Sequence, residues 1–378
     1  MKNWALYRFA LHFLPTHGRV TYCDLPRGGE EAEKALRSLR CAGASLCLFD
    51  ASGVTGSLAF GLAHPPHAPV TPQTVFRAAS VSKFVTALGA MKLKEQGALS
   101  LDRDVNEYLP FPLRHPAAPK TPLTLRMLLS HTAGIHDGRD YNAGIAQIVP
   151  LSQLLRGDSF TAHLPGTAWE YSNFGAGIAG AVMEAAAGMD FEALMQETVF
   201  RPLGVEATFY PQRVRGDLAD ALRILPPGKR PGFCAAERRN RPLPTPGPDA
   251  ETHYCFAHGS LCLSAPALAK IGMAGMTPGF LHKESLLEMR REIAPFGQRA
   301  RNLSQGIGTF ILREPSLSAR PFYGHQGMAY GAVHGLFFDP EKGRGVALLT
   351  TGASEARRGV LADLNQAILG IFLGDHHG

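Results

Sequence analysis

The sequence lacks several patterns that would assign it to a class at once. Its six cysteines contain no C-x-x-C pair and match no zinc-ligand spacing, so we expect free, mostly buried thiols rather than disulfides or a metal site. No uninterrupted apolar run reaches about 18 residues, so a membrane-spanning helix is not supported. The 38 basic and 32 acidic residues are dispersed and form no basic stripe, which argues against nucleic-acid binding.

What is present is the composition of a folded globular protein. A chain of 378 residues that is 45% apolar and 19% charged can bury a sizeable core without metals or disulfides. No internal repeat or low-complexity tract divides it. The predicted organisation is an N-terminal extension at residues 1–30 and one domain at residues 31–374, with a mainly helical insertion at roughly 95–300.

The first 14 residues are apolar and aromatic, but Arg8 and His12 interrupt the run and no small-residue cleavage site follows. We therefore expect no cleaved signal peptide and predict a cytoplasmic protein. Peripheral contact of this segment with a membrane surface stays open. The oligomeric state is not encoded in any pattern that we recognise.

Periodicity predicts a mixed α/β (α+β) fold. Residues 44–50 and 56–62 flank a turn at Gly53 and read as a β-hairpin, and a helix runs from Val81 toward a stop at Gly97. A long helical middle section follows. Residues 225–250 carry seven prolines, which predicts an irregular surface loop or a lid over a pocket.

Strand patterns return near the C-terminus. Residues 306–312, 332–338 and 345–351 follow one another as a meander, which predicts an antiparallel sheet. The chain ends in a predicted helix that packs on the sheet through one apolar face, made of Val360, Leu361, Leu364, Ile368 and Phe372. Both chain ends thus build one unit around the helical insertion.

The first chemical motif is Ser80-Val81-Ser82-Lys83. A serine hydroxyl is a poor nucleophile at neutral pH, and a lysine one helical turn away can take its proton or position the group that does. The first turn of a helix also favours developing negative charge. These conditions suit acyl transfer, although a helix cap followed by a solvated lysine would give the same four letters.

Two further motifs lie far downstream. Tyr171-Ser172-Asn173 follows a Pro-Gly-Thr turn, so a phenol near the lysine could act as a general base while the Asn173 amide orients substrate or the lysine. A buried tyrosine with a capping asparagine is the simpler alternative. At Gly324-His325-Gln326-Gly327, the glycines permit close approach of a substrate or backbone segment, with the imidazole at the pocket edge. The simpler alternative there is a turn histidine.

In this order and with these flanks, the three motifs resemble the serine β-lactamase and penicillin-recognising D,D-peptidase superfamily, in the branch of class C β-lactamases, D-aminopeptidases and related esterases. The resemblance implies a β-lactamase/transpeptidase-like fold, an antiparallel sheet flanked by helices with a helical subdomain inserted. It covers most of the chain after residue 30 and rests on residues 74–83, 128–135, 165–167, 171–173, 201–204, 259–261 and 324–327.

The resemblance also implies roles for individual residues. Ser80 is the acylated nucleophile, Lys83 its partner, and Tyr171 the candidate base in acylation and activator of water in deacylation. Whether the lysine or the tyrosine takes the proton is left open. Asn173 holds the substrate amide, and the N–H groups of Ser80 and Met328 form the oxyanion hole.

One departure from the family pattern narrows the substrate. Many relatives have Lys-Thr-Gly where this chain has His325, Gln326 and Gly327, and the lysine and threonine there attract a substrate carboxylate. A histidine is largely neutral near pH 7, so binding of a carboxylate at this substrate-binding segment should be weaker and depend on pH. The expectation moves from β-lactams toward esters and peptides.

Three functions follow from these residues. The first is a serine hydrolase that works through an acyl-enzyme on an ester, an amide or a short D-amino-acid peptide. The second is a β-lactam-directed member, either a weak β-lactamase or a penicillin-binding D,D-carboxypeptidase. The third is a catalytically silent binding or assembly scaffold, for which an intact Ser80, Lys83 and Tyr171 would be superfluous. No cofactor, metal or nucleic acid is expected, only a small-molecule or peptide substrate.

Overall fold

The computed structural model describes residues 18–144, 148–155, 157–222, 244, 246–296 and 302–375, and its strands come from both ends of the chain. In chain order the strands are β1 Val20–Cys23, β2 Gly43–Asp50, β3 Val54–His64, β4 Ala68–Pro69, β5 Phe76–Arg77, β6 Ala207–Thr208, β7 Cys262–Leu263, β8 Ala294–Pro295, β9 Leu303–Gln305, β10 Phe310–Leu312, β11 Phe322–Ala329, β12 Ala332–Asp339, β13 Arg344–Thr351, β14 Arg357–Arg358 and β15 Leu361–Ala362.

Most of these strands form one antiparallel sheet. Its order is β1–β3–β2–β13–β12–β11–β10–β9–β8, with β4 paired to β3. The N-terminal hairpin and the C-terminal meander meet where β2 pairs with β13, in a continuous register from Arg344 opposite Asp50 to Thr351 opposite Gly43. The two chain ends therefore complete a single sheet, and the predicted antiparallel fold class is confirmed.

Helices cover the sheet and fill the segment between its two halves. In chain order they are α1 Gly29–Ser38, α2 Val81–Glu95, α3 Leu125–Leu129, α4 Arg139–Gly144, α5 Leu151–Leu154, α6 Asn173–Ala187, α7 Phe191–Met195 with the π turn Gln196–Phe200, α8 Arg201–Leu203, α9 Tyr254–Ala257, α10 Ala265–Met276, α11 Lys283–Arg290 and α12 Asp363–Phe372, besides the 3₁₀ turns Val105–Glu107, Gly157–Ser159 and Pro211–Arg213.

The side-chain alternation of the strands divides the core between the two faces of the sheet. On β2, Cys47 and Phe49 belong to the cluster that contains α2 and α10. Their neighbours Leu46 and Leu48 belong to the cluster that contains α1 and α12. Helix α2 thus lies in the middle of the molecule, where nearly all of its residues are buried, and its first turn is held rigidly.

Several sequence predictions differ from the structure in detail. The segment around His325 is part of the long strand β11 rather than a turn. The predicted terminal helix begins only at Asp363, because Leu361 pairs as part of β15 before it. The strand predicted over residues 306–312 is interrupted at Gly308, where φ is +57°, so that β9 and β10 form a hairpin.

The predicted domain boundary falls inside an ordered region. Strand β1 lies within the predicted extension at residues 1–30 and pairs with β3, and helix α1 begins at Gly29. Residues 1–17 lie outside the described part of the chain, as does most of the proline-rich segment predicted at residues 225–250. The boundary at residue 30 remains a prediction, and so does the choice between a loop and a lid.

Two further properties concern the described residues as a whole. Within those ranges, no helix combines the length and apolar character needed to cross a bilayer. Of the cysteines there, Cys41, Cys47, Cys255 and Cys262 are buried and Cys23 is exposed, and none of these five forms a disulfide. Burial raises the pKa of the Cys41 thiol to about 12, so this group is an inert part of the core.

Candidate active site

Ser80 lies where strand β5 turns into helix α2. The residue before it, Ala79, adopts a left-handed backbone conformation with φ of +47°, which is strained for a residue with a Cβ. Ser80 itself occupies the N-cap position of α2 and is half-buried at the floor of a cavity. This sharp turn presents the hydroxyl at the helix N-terminus, where backbone N–H groups favour negative charge.

Lys83, one turn along α2, is buried and contacts three oxygen atoms. Its Nζ lies 3.2 Å from Ser80 Oγ, 2.7 Å from Asn173 Oδ1 and 2.8 Å from the backbone oxygen of His258. Burial lowers the pKa of this amine to about 7, although the charge of Asp137 acts in the opposite direction. A large fraction of the lysine is therefore neutral at physiological pH.

The neutral amine fits these contacts closely. It has two N–H groups, which the oxygens of Asn173 and His258 can accept, and one lone pair. In the neutral form, with both hydrogens engaged in this way, the contact with Ser80 Oγ is left to the lone pair, whereas the ammonium form donates a third hydrogen to that oxygen. Such an arrangement would suit proton transfer between the serine and the amine.

Tyr171 lies next to this pair. The Nζ of Lys83 is 4.9 Å from the centre of the tyrosine ring, and His131 packs against the same ring at 4.6 Å. Burial raises the pKa of the Tyr171 phenol well above its usual value, and a hydrogen bond with Ser80 opposes this only in part. The nearby lysine does not make the tyrosine an anion, so the phenol is protonated and can donate.

Asn173 begins helix α6, for which the hydroxyl of Ser172 provides the cap by accepting from the N–H of Gly175 at 2.8 Å. The side-chain oxygen of Asn173 accepts from Lys83, and its Nδ2 donates to Asp137 Oδ2 at 2.6 Å. The observed bonds of this amide are thus to the protein. Its predicted role in holding the substrate amide remains a prediction.

His325 does not occupy the position that the sequence suggested. The imidazole is only 1% exposed and stacks on Phe310 at 4.1 Å, so the structure places it in the wall behind the cavity and not at the pocket edge. Its Nδ1 lies 2.6 Å from the backbone oxygen of Gln326. Burial lowers the pKa of His325 to about 3, so the imidazole is neutral near pH 7 as expected, but its titration cannot supply the expected pH dependence of carboxylate binding near neutral pH.

Gln326 lines the cavity, but the polar atoms of its side chain are bonded to other parts of the protein. Its Nε2 donates to the oxygen of Val360 at 2.6 Å, and its Oε1 accepts from the N–H of Ala362 at 3.0 Å and from Asn365 at 3.3 Å. The side chain therefore joins β11 to β15 and to the start of α12. Neither His325 nor Gln326 supplies the cation or hydroxyl that binds a carboxylate in relatives with Lys-Thr-Gly.

Gly327 brings strand β11 against the nucleophile. A Cβ added there would overlap the backbone oxygen of Ala78 and would lie 3.2 Å from the nitrogen of Ser80. Only glycine permits this approach. The next residue, Met328, lines the cavity together with Ser80, and the role of its backbone N–H in an oxyanion hole remains a prediction.

The cavity above Ser80 has a volume of about 550 Å³ and two different walls. One wall is aromatic: Trp169 stacks on Phe296 at 3.9 Å, and Phe296 meets Phe310 edge-on at 5.1 Å. The other wall includes Arg77 and Arg357. A flat apolar group would be desolvated against the first wall.

Sequence reasoning missed several of these residues. Asp137 accepts three hydrogen bonds at the start of α6, yet only its place shortly after residues 128–135 marks it in the sequence. His258 contributes a backbone oxygen, which no side-chain motif reports. Trp169 lies two residues before Tyr171 and could have been noticed as an aromatic flank, whereas Phe296 and Phe310 join the wall only through the tertiary fold.

A serine, a neutral lysine and a tyrosine around a cavity beside an antiparallel sheet define a serine hydrolase of the β-lactamase/transpeptidase fold. The statistical model of the family described as Beta-lactamase matches residues 30–370. The chain therefore belongs to the beta-lactamase family, and it is a serine hydrolase. Small-molecule substrates are what this family implies.

Individual relatives are consistent with this assignment. The chain is 28% identical over 367 residues to Esterase EstB from Burkholderia gladioli, across 87% of this chain and 91% of that one. It is 26% identical to Penicillin-binding protein 4 from Amycolatopsis lactamdurans, across 88% and 86% of the two chains.

Solved structures agree with the fold. The structure of EstCE1, a hydrolase with promiscuous acyltransferase activity, matches with a TM-score of 0.71 at 25% identity, over 90% of this chain and 97% of that one. The D-amino acid amidase from Ochrobactrum anthropi SV3 has the same TM-score at 21% identity, over 91% and 95% of the two chains, and supports the fold alone.

Proposed function

We propose that this serine hydrolase cleaves esters and amides of small acids through an acyl-enzyme on Ser80. The observation that carries the proposal is the contact between Lys83 and Ser80, in which a buried amine with a pKa of about 7 faces the hydroxyl at 3.2 Å. The similarity to an esterase over most of both chains supports the ester as substrate.

The contact between Lys83 and Ser80 supports the following acylation step. Lys83 takes the proton of Ser80 as Oγ attacks the substrate carbonyl carbon, and the carbonyl electrons move onto its oxygen. The N–H groups of Ser80 and Met328 stabilise this oxyanion. When the tetrahedral intermediate collapses, the bond to the leaving group breaks, Tyr171 gives its proton to that group, and the Lys83 ammonium returns a proton to the phenolate.

Deacylation reverses these roles. A water molecule gives a proton through Tyr171 to the neutral Lys83 while its oxygen attacks the acyl carbon. Collapse of the second intermediate releases the acid and returns the proton to Ser80 Oγ. The proton moves only among groups that already lie together, so no cofactor is needed for the step.

The substrate class follows from the walls of the cavity. The third motif, His325-Gln326-Gly327, offers no side chain to a substrate carboxylate, whereas Trp169, Phe296 and Phe310 form a continuous aromatic surface. We therefore assign a flat apolar group, such as a phenyl ring, to the substrate. The β-lactam-directed alternative and the silent scaffold are less well supported, because the third motif lacks the lysine and threonine that the first would use and the second has no use for Lys83.

Covalent labelling tests the proposed nucleophile. A fluorophosphonate should add to Ser80 in the wild-type protein and not in Ser80→Ala, as peptide mass spectrometry would show. Tyr171→Phe should remain folded by circular dichroism and lose on the order of 10²–10⁴ in ester turnover. A folded wild-type protein that stays unlabelled would remove Ser80 from the mechanism, and full activity of Tyr171→Phe would remove the tyrosine.

A panel of esters tests the substrate. We expect kcat/KM for p-nitrophenyl phenylacetate to exceed that for the acetate, and Trp169→Ala to reduce this preference about tenfold. Phe280→Ala, which changes a half-buried aromatic side chain outside the cavity lining, is the matched control. Equal preference in wild type and Trp169→Ala would rule out the aromatic wall as the specificity site.

The alternatives have their own measurements. A fluorescent penicillin that forms a stable adduct, together with negligible ester cleavage, would favour the β-lactam-directed function. Short D-amino-acid peptides and amides belong in the same panel, because the proposed chemistry cleaves both ester and amide bonds. The cytoplasmic location and contact of the N-terminal segment with membranes remain predictions, which cell fractionation tests.

A further inference from the structure

A carboxylate that the three motifs do not account for, that of Asp137, contacts the start of helix α6. Asp137 Oδ2 accepts from Asn173 Nδ2 at 2.6 Å, Asn173 Oδ1 accepts from Lys83 Nζ at 2.7 Å, and Lys83 Nζ lies 3.2 Å from Ser80 Oγ. One continuous path of hydrogen bonds therefore links Asp137 to the nucleophile.

The direction of these bonds matters because an asparagine amide can adopt two orientations of nearly the same shape. Either its oxygen or its NH₂ group could face Lys83. An NH₂ group in that position would oppose the N–H groups of the lysine and offer no acceptor. A carboxylate accepts and never donates, so the end of Asn173 that faces Asp137 must be the NH₂ group, and the oxygen must face the lysine.

We propose that Asp137 is a positioning residue of the reaction, which fixes the Asn173 amide so that its oxygen holds Lys83 with the lone pair toward Ser80. The inference rests on the proposed function of Ser80 and Lys83 and deepens it. Asp137 does not touch the substrate; it acts through the amide.

The carboxylate is itself well anchored. Its Oδ1 accepts from the hydroxyl of Ser172 at 3.2 Å and from the backbone N–H of Phe174 at 2.9 Å. Because both bonds go to residues at the start of α6, the competing explanation is that Asp137 only caps this helix. The two roles are separable, because capping needs Oδ1 and positioning needs a pure acceptor at Oδ2.

The charge of Asp137 acts on the pKa of Lys83, so the positioning role should change the pH dependence of the reaction at Ser80. The groups that face Lys83 are Asp137 and Arg77, the imidazoles of His131 and His325, and the ring of Tyr171. Asp137 raises the pKa of the lysine, opposing burial and Arg77, and burial lowers the pKa of both histidines, which stay neutral. Loss of the Asp137 charge should therefore extend the active, neutral form of Lys83 to lower pH.

The test variant is Asp137→Asn. It keeps an oxygen for Phe174 but can place a donor against Asn173, which frees the amide to turn. We measure the rate of fluorophosphonate labelling of Ser80 between pH 5 and 9. The expected result is a plateau at least about tenfold lower and a midpoint about half a pH unit or more below that of wild type.

Ser172→Ala is the matched control, since it removes the other side-chain donor to Asp137 together with the cap on Gly175. It should lower the melting temperature and leave the midpoint of labelling unchanged. In an Asn173→Ala background, Asp137→Asn should lower the plateau no further, because the amide through which it acts is gone.

The outcomes distinguish a failure of the proposed function from a failure of the inference about Asp137. A folded wild-type protein that is not labelled at Ser80 overturns both the function and the inference. Labelled wild type with a wild-type plateau and midpoint in Asp137→Asn overturns the inference alone, as does an equal loss of plateau in the Asn173→Ala background. If Asp137→Asn does not fold, Asp137→Ser, which retains an oxygen acceptor, takes its place with the same expected result.

Discussion

The two sides of the Ser80 site are built in opposite ways. On the helix side, Lys83, Tyr171 and Asn173 place functional groups around the nucleophile, and each group is set by named partners. On the strand side, His325 is buried, the polar atoms of Gln326 are bonded elsewhere in the protein and Gly327 has no side chain, so that β11 approaches Ser80 with its main chain. The helix side thus contributes functional side chains, and the strand side contributes the close approach of its main chain to Ser80.

Replacing the base should have the largest effect. Lys83→Met keeps the length of the side chain and removes the amine, so Ser80 keeps its position and loses the acceptor of its proton. We expect kcat/KM for an activated ester to fall by about 10²–10⁴, with an unchanged circular dichroism spectrum. A folded variant with wild-type activity would show that the helix side does not supply the base.

Adding a methyl group on the strand side, at Gly327, should have the second largest effect on turnover. The Cβ of Gly327→Ala meets the oxygen of Ala78 and pushes β11 away from Ser80, which displaces the N–H of Met328. Loss of one oxyanion donor typically costs about 10²–10³ in turnover. Gly370→Ala, in helix α12 away from the cavity, is the matched control, and an equal, small effect of both substitutions would contradict the shape argument.

The pH dependence of kcat/KM should come from Lys83 on the helix side and not from His325 on the strand side. Lys83 acts as a base only when neutral, so kcat/KM should fall about tenfold per unit as the pH drops below the pKa of about 7. His325, with a pKa of about 3, should add no transition between pH 5 and 8, and Tyr171 should add none below about pH 10. A flat profile between pH 5 and 8 would be incompatible with a lysine base.

The smallest effect on activity should come from Gln326→Ala. This substitution leaves the N–H of Ala362 and the oxygen of Val360 without their partner, which should cost about 1–3 kcal/mol in the free energy of unfolding. We expect kcat/KM for a neutral ester to stay within about threefold of wild type. Chemical denaturation and ester kinetics on the same preparation measure both quantities, and a large kinetic loss at wild-type stability would give Gln326 a direct role.

The elements that were predicted well are those with a clear period. The β2–β3 hairpin, helix α2 and the strands β12 and β13 are visible in the sequence. Apolar residues recur at every second position in a strand and at every third or fourth position in a helix. Strand β11 was missed because its glycines and polar residues hide the alternation. Strand β1 was missed because its four residues are mostly exposed.

For the active site, the sequence by itself determined which residue types are available: a serine and a lysine three positions apart, a tyrosine with its asparagine, and a histidine with two glycines. Only the tertiary structure decided what each one does. Burial lowers the pKa of Lys83 to about 7 and keeps Tyr171 protonated, whereas packing behind Phe310 removes His325 from the cavity. The physical reason is that desolvation and the direction of a hydrogen bond depend on neighbours that are distant in sequence, as Asp137 and the oxygen of His258 are from Lys83.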